Sequence, residues 1–215
     1  MDVAVFGGTG PTGRLVCLQA SAAGHRVRAV TRRTGGNVLS EDDSARVMRA
    51  DAQSGDGVVD AVDGVDAVIS VLGTAYSRHK ITIYSEGVRH IVEALRSRGN
   101  GRRLIVVSSG LTYPPPRTNW FADHLLFPFL RGVVGRTLYA DMRRMEEYLH
   151  TCDDIEWTVM RPGRLFDSDG ISDYRIDLNH LTGGYTSRAD LAAAIVAELA
   201  TTGHFYRAVA PSTVR

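Results

Sequence analysis

Apolar and polar positions along the chain follow two rhythms in turn. Val3-Ala4-Val5-Phe6 is a short apolar run, and after a polar turn Leu15-Val16-Cys17-Leu18-Gln19-Ala20 carries good helix formers until Gly24. An unbroken run of that first kind reads as a strand buried on both faces, the habit of parallel sheets. The alternation then repeats. His25 to Thr31 predicts a second strand, Arg46 to Asp51 a shorter third, Val58 to Val62 a brief helix, and Asp66 to Gly73 a fourth strand. Ser85 to Arg98 has Val88, Ile91, Val92 and Leu95 at helical spacing, and Leu104 to Gly110 is a fifth strand with a polar tip. Asp141 to His150 predicts a helix, Glu156 to Met160 a sixth strand, Arg188 to Thr201 a last helix, and Phe205 to Ala210 a strand that closes the sheet. Strand and helix alternating throughout imply an α/β fold, a doubly wound, mostly parallel sheet with helices on both faces, as one domain over residues 1–215.

Composition narrows the functions such a domain can have. The 215 residues hold 25 Lys+Arg against 24 Asp+Glu, so no basic stripe is available to displace counterions from a nucleic-acid backbone. No stretch of apolar residues is long enough for a membrane span. Met1-Asp2-Val3 lacks a basic leader and runs straight into a strand, which gives a cytoplasmic expectation. Cys17 and Cys152 are too few and too far apart for a disulfide framework, and the seven His show no metal-ligand spacing. Glycine is in excess at 22 residues, and its placement matters more than its number.

Gly7, Gly10 and Gly13 sit between the first strand and the first helix. Small residues there let the backbone approach a pyrophosphate, while the free N–H groups and dipole of the opening helix favour its charge. A packing turn has the same composition, but strand, turn, helix and a second strand at the right distance form the Rossmann-type dinucleotide arrangement. A Walker phosphate loop is excluded, because Arg14-Leu15 stands where Lys and Ser or Thr would be needed. At the end of the second strand an NAD site carries an acid for the ribose 2′-hydroxyl, whereas this chain reads Thr31-Arg32-Arg33 with no acid before Glu41. Those arginines suit the 2′-phosphate of NADP(H), unless they are merely solvated. In such sheets ligands lie beyond the carboxyl ends of the strands, here Gly7, Arg32, Asp51, Gly73, Ser109 and Pro162.

Taken in order, Val5-Phe6-Gly7-Gly8-Thr9-Gly10-Pro11-Thr12-Gly13, Val71-Leu72-Gly73-Thr74, Ser85-Glu86-Gly87-Val88, Val107-Ser108-Ser109, Arg144-Met145, Thr158-Val159-Met160-Arg161-Pro162-Gly163 and Ser187-Arg188-Ala189-Asp190-Leu191 resemble the atypical short-chain dehydrogenase/reductase family, in its NAD(P)H-binding group of flavin and biliverdin reductases. The resemblance covers nearly the whole chain. It implies that Gly7, Thr9, Gly10, Pro11, Thr12 and Gly13 line the pyrophosphate, that Arg32, with Arg33, holds the 2′-phosphate, and that Asp51 and Ala52 flank the adenine. It further implies that Leu72, Gly73 and Ser108 lie along the cofactor, that Pro162 and Gly163 bracket the nicotinamide, and that Ser109 faces the reacting ring as the catalytic hydroxyl. A strand-end Ser bonded only to backbone is the alternative for Ser109.

Most short-chain dehydrogenases use a Tyr-x-x-x-Lys pair, in which the ammonium lowers the phenol pKa. Here the nearest string is Tyr139-Ala140-Asp141-Met142-Arg143, and alignment through Arg144-Met145 places Met142 at the ionisable position. Tyr139 therefore reads as a helix-surface residue packed on a neighbour, with a catalytic phenol activated by Arg143 as the alternative, and Arg143-Arg144-Met145-Glu146-Glu147 as a solvated, charge-paired helix face. Without a positioned acid, flat conjugated acceptors such as a flavin, a quinone or a biliverdin-like ring suit hydride transfer better than simple carbonyls do. Segment 113–135 holds five aromatics and four prolines and suits a lid over such a small-molecule redox substrate, a core-packing segment or a dimer surface. Residues 162–215 form a short substrate-side part, and a monomer or a homodimer fits equally. A nonenzymatic NADP(H)-sensing regulator of the NmrA-like type is the other function compatible with these features.

Overall fold

The computed structural model describes residues 1–32, 46–99, 102–114, 125, 129, 132–133 and 135–214. Its main sheet carries the strands β1 (Asp2–Phe6), β2 (Arg26–Thr31), β3 (Arg46–Arg49), β4 (Ala67–Ser70), β5 (Arg103–Val107), β6 (Glu156–Met160), β8 (Tyr174–Leu178) and β10 (Arg207–Thr213), in the order β3-β2-β1-β4-β5-β6-β10-β8. All neighbours pair in parallel except β10 and β8. The doubly wound sheet expected from the strand–helix rhythm is thus present. Two short strands, β7 (Arg164–Phe166) and β9 (Tyr185–Ser187), form a separate parallel pair. Neither these nor β8 was expected, because they are three to five residues long and carry no buried apolar run.

Alternation along the central strands sends successive side chains to opposite layers. Ala4, Phe6, Val68, Leu104 and Val106 face one core, completed by α3 (Ile83–Arg98) and α4 (Arg136–Leu149). Val3, Val5, Ile69 and Ile105 face the other, completed by α1 (Pro11–Ala22) and α5 (Arg188–Ala197). The short α2 (Val58–Ala61) packs beside α3. Pro11 opens α1 at a position where its missing N–H costs nothing, and Gly24, at φ +83°, follows its end. Helix α4 begins five residues before the expected Asp141, and it buries Leu138, Met142, Met145 and Leu149, each contributing about 1.5–3 kcal/mol by removal from water.

One buried ion pair ties the sheet to α5. Arg103 donates to the Glu198 carbonyl at 2.8 Å, to Thr158 Oγ1 at 2.7 Å and to the Glu156 carbonyl at 2.9 Å, with the Glu198 carboxylate 3.5 Å away. Burial pushes the guanidinium down to about 10 despite its acidic neighbours.

Candidate functional site

The turn between β1 and α1 is built from contacts that only glycine permits. Gly7 stands at φ +81°, and a Cβ there would lie 2.7 Å from the Val71 carbonyl oxygen. A Cβ on Gly13 would lie 2.1 Å from the Gly7 carbonyl oxygen, so the first turn of α1 rests directly on the loop. Gly10 caps α1 without a side-chain partner, and the first-turn N–H groups have no intrahelical acceptor. Thr9 Oγ1 donates to Thr31 Oγ1 at 3.2 Å, which joins the loop to the end of β2 beside the exposed Arg32.

These residues open onto a cleft of about 680 Å³ along the carboxyl edge of the sheet. Gly7, Thr9, Gly10, Pro11, Thr12, Gly13 and Arg32 line it on one side. Asp51 and Ala52 join from the loop after β3, Leu72 and Gly73 from the loop after β4, and Ser108 from the tip of β5. The loop after β3 is itself pinned. Asp51 Oδ1 accepts from the Gln53 N–H at 2.9 Å, Gln53 Nε2 donates to Thr82 Oγ1 at 3.0 Å, and the Ala52 carbonyl lies 2.8 Å from His90 Nδ1. Of the remaining expected residues, Ser109, Pro162 and Gly163 stand beside the cleft rather than in its lining, and Arg33 lies outside the described residues. Most of segment 113–135 lies outside them too, although Leu125, Phe129 and Val133 are described and exposed.

Several lining residues were not expected at the site: Gln53, Thr74, Tyr84, Met142, Leu165 and Arg188. Arg188 is legible in retrospect, because Ser187 caps α5 by accepting from the Asp190 N–H at 3.0 Å and so fixes Arg188 at the first helical position. Its guanidinium reaches Asp167 at 2.8 Å from the wall of the cleft.

Behind Ser108 the structure corrects the reading of the Arg143–Glu147 run as a solvated face. Glu146 is 1% exposed and Met145 is buried, because α4 turns this stretch toward the sheet. Ser108 Oγ donates to Glu146 Oε1 at 2.6 Å and lies 2.9 Å from Thr112 Oγ1. Arg161 Nε donates to the same carboxylate at 3.1 Å, while its Nη1 donates to the Asn179 carbonyl at 3.1 Å and its guanidinium covers the Tyr113 ring at 4.6 Å.

Tyr139 requires a second correction. It is 6% exposed and lies inside the fold, not on the surface of α4. Its hydroxyl lies 3.2 Å from that of Tyr76, and Ser109, whose Oγ accepts from the Leu111 N–H at 3.2 Å, is its other polar neighbour. Burial, then the Tyr76 contact, raises the Tyr139 phenol pKa, with Ser109 opposing. Burial likewise pushes Tyr84 up to about 12.

A glycine turn clamped on a helix N-terminus, opening onto a cleft at the carboxyl edge of a doubly wound sheet, defines a dinucleotide-binding protein of the Rossmann class. Residues 7–202 match the model of the NAD(P)H-binding family, and the chain belongs to that family. A UPF0659 protein of Schizosaccharomyces pombe is 28% identical over 178 residues, which span 77% of this chain and 71% of that one. A Streptococcus pneumoniae structure whose name proposes an NADH-flavin reductase superposes with a TM-score of 0.80 at 22% identity, covering 100% of both chains. A short-chain dehydrogenase/reductase of Veillonella parvula, in complex with NADP, superposes with a TM-score of 0.76 at 16% identity over 98% of this chain and 94% of its own. At these identities the two structural likenesses establish the fold.

Proposed function

We propose that the protein is an NADPH-dependent reductase that passes hydride to a flat conjugated acceptor such as a flavin or quinone. The observation that carries this reading is a single cleft with the Gly7–Gly13 turn and Arg32 on its rim and the Ser108 tip of β5 in its lining. The donor set fits the cofactor: the turn leaves no room for a Cβ, uncapped N–H groups await an anion, and the residue after β2 is a cation rather than an acid. On this reading Gly7 and Thr9 to Gly13 hold the pyrophosphate, Arg32 and Arg33 the 2′-phosphate, and Asp51 with Ala52 the adenine. Leu72, Gly73 and Ser108 run along the cofactor, and Pro162 with Gly163 close the far side. NADPH, when bound, supplies the hydride.

The residues around Ser109 supply the proton. Tyr139 is held protonated, so its hydroxyl and that of Ser109 are donors, and the proton that completes reduction reaches the acceptor heteroatom through Ser109. No ammonium lowers the Tyr139 pKa. Arg143, four residues on, donates instead to the Thr112 carbonyl at 3.0 Å and sits over the Tyr113 ring at 5.6 Å, while Met142 lines the cleft. A conjugated acceptor delocalises the incoming charge and tolerates such a weak acid, so catalysis is mostly orientation.

No helix among the described residues is long and apolar enough to cross a membrane, and Cys17 and Cys152 are buried thiols, which suits the reducing cytoplasm. NADPH oxidation with flavins, menadione and dichlorophenolindophenol tests the assignment. Turnover on at least one of them is expected. Tight NADPH binding with no turnover on any would replace the reductase by the NADP(H)-sensing regulator.

A further inference from the structure

A second cavity, of about 570 Å³, lies between the loop after β4 and the start of α4. Among its described lining residues four are cations, Arg78, Lys80, Arg136 and Arg144, and none is an acid. Among the described residues only Arg144 is compensated directly, by Asp141 at 3.0 Å, and Lys80 acts on Glu86, which Arg89 already binds. Among the described residues Arg78 and Arg136 have no ion pair. The walls are tied together at both ends: Thr137 Oγ1 donates to the Ser77 carbonyl at 2.5 Å and Arg144 Nη2 to the Ile81 carbonyl at 2.9 Å. The loop is therefore fastened to α4 by hydrogen bonds, with exposed cations from both around the space between.

Four cations around one cavity give it a positive potential. Arg136 occupies the first turn of α4, where the helix dipole is positive, the first turn has no acid, and Gly135 provides no side-chain cap. An anion between the loop and the helix reverses each of these terms. The loop after β4 runs from the cleft described above to this cavity. Thr74 and Ala75 line the cleft and Ser77 and Arg78 the basic cavity, with Tyr76 between them touching Tyr139. Helix α4 presents Met142 to the cleft and Arg136, Thr137 and Arg144 to the cavity.

We propose that this basic cavity receives the anionic tail of the acceptor, so that the substrate class is a conjugated ring bearing a phosphate or carboxylate. The proposal rests on the reductase reading for the ring and on the cation cluster for the tail. Flavin mononucleotide and riboflavin share the ring and differ by one phosphate, so they separate the two.

Fluorescence titration of the NADP⁺-loaded protein should find flavin mononucleotide bound about 10-fold tighter than riboflavin at low salt, an advantage that shrinks at high salt. Inorganic phosphate should compete with the mononucleotide and spare riboflavin. R78A/R136A should bring the two flavins to near-equal affinity, and R78K/R136K should keep most of the difference. Equal affinities in the unaltered protein, or an undiminished difference in R78A/R136A, would overturn the proposal. Should that variant fail to fold, salt dependence and phosphate competition in the unaltered protein decide. Mononucleotide preference without turnover would leave the cavity standing and remove the reductase, whereas turnover of both flavins with equal affinity would do the reverse.

Discussion

Ser108, at the tip of β5, donates a 2.6 Å hydrogen bond to Glu146, a carboxylate 38 residues away in sequence and sealed from solvent. That bond places the wall of the cleft under the control of a buried charge. Arg161 neutralises the charge from the end of β6, so one carboxylate locks β5, α4 and the start of the segment after β6 into register.

Breaking the pair should be costly. Glu146→Gln keeps an acceptor for Ser108 and leaves Arg161 buried and uncompensated, which is expected to destabilise the fold by about 3–5 kcal/mol. For a chain of this size that is a fall in Tm of roughly 10 °C, measurable by thermal unfolding. An unchanged Tm would show that Arg161 finds its compensation elsewhere.

Cofactor choice should follow Arg32. Arg32→Ala is expected to weaken NADPH binding by about 10- to 100-fold, the worth of one charge-assisted contact, and to leave NADH nearly as it was. Parallel titrations with both cofactors check this. Equal losses for the two would mean that Arg32 acts on something other than the 2′-phosphate.

The turn itself should not accept a methyl group. Gly13→Ala sets a Cβ 2.1 Å from the Gly7 carbonyl oxygen and 2.8 Å from Gly8 Cα, both backbone atoms that cannot swing aside. The expected cost is at least about 1–3 kcal/mol of stability, with cofactor affinity lost even in the fraction that folds. Circular dichroism and a cofactor titration separate the two effects.

Alkali should destabilise the protein through its phenols. Tyr84 and Tyr148 are pushed up to about 12, chiefly by burial, and Tyr139 is raised as well. The folded chain therefore keeps these protons after the unfolded chain has lost them at about pH 10, so their stabilising effect is complete below that pH and disappears as pH rises past it. Phenolate absorbance in the native protein should lag behind that in denaturant. Coincident titration curves would falsify the buried, hydrogen-bonded placement of these side chains.

Local signals made much of the architecture legible in advance. β1, β4 and β5 are read directly from apolar runs, because a strand buried on both faces leaves an unbroken trace in the sequence, and β2 and β6 from apolar residues interrupted by polar ones. The edge strand β8 and the short pair β7 and β9 leave no such trace, since β7 and β8 are partly exposed, β9 buries only polar Thr186 and Ser187, and each gains its pairing from distant partners.

By itself, the sequence determined the sheet type and the glycine turn, and with them the family, because strand burial, helix capping and the contact of Gly13 on Gly7 depend on neighbours a few residues apart. Tertiary structure alone decided the rest. Glu146 and Tyr139 read locally as surface positions on an amphipathic helix, yet α4 turns them against β5 and against Tyr76, which is 63 residues from Tyr139. Likewise Arg78, Lys80, Arg136 and Arg144 become one basic cavity only when a loop and a helix are brought together. Charge and hydrogen bonding depend on distance in space, and folding alone sets that distance for residues far apart along the chain.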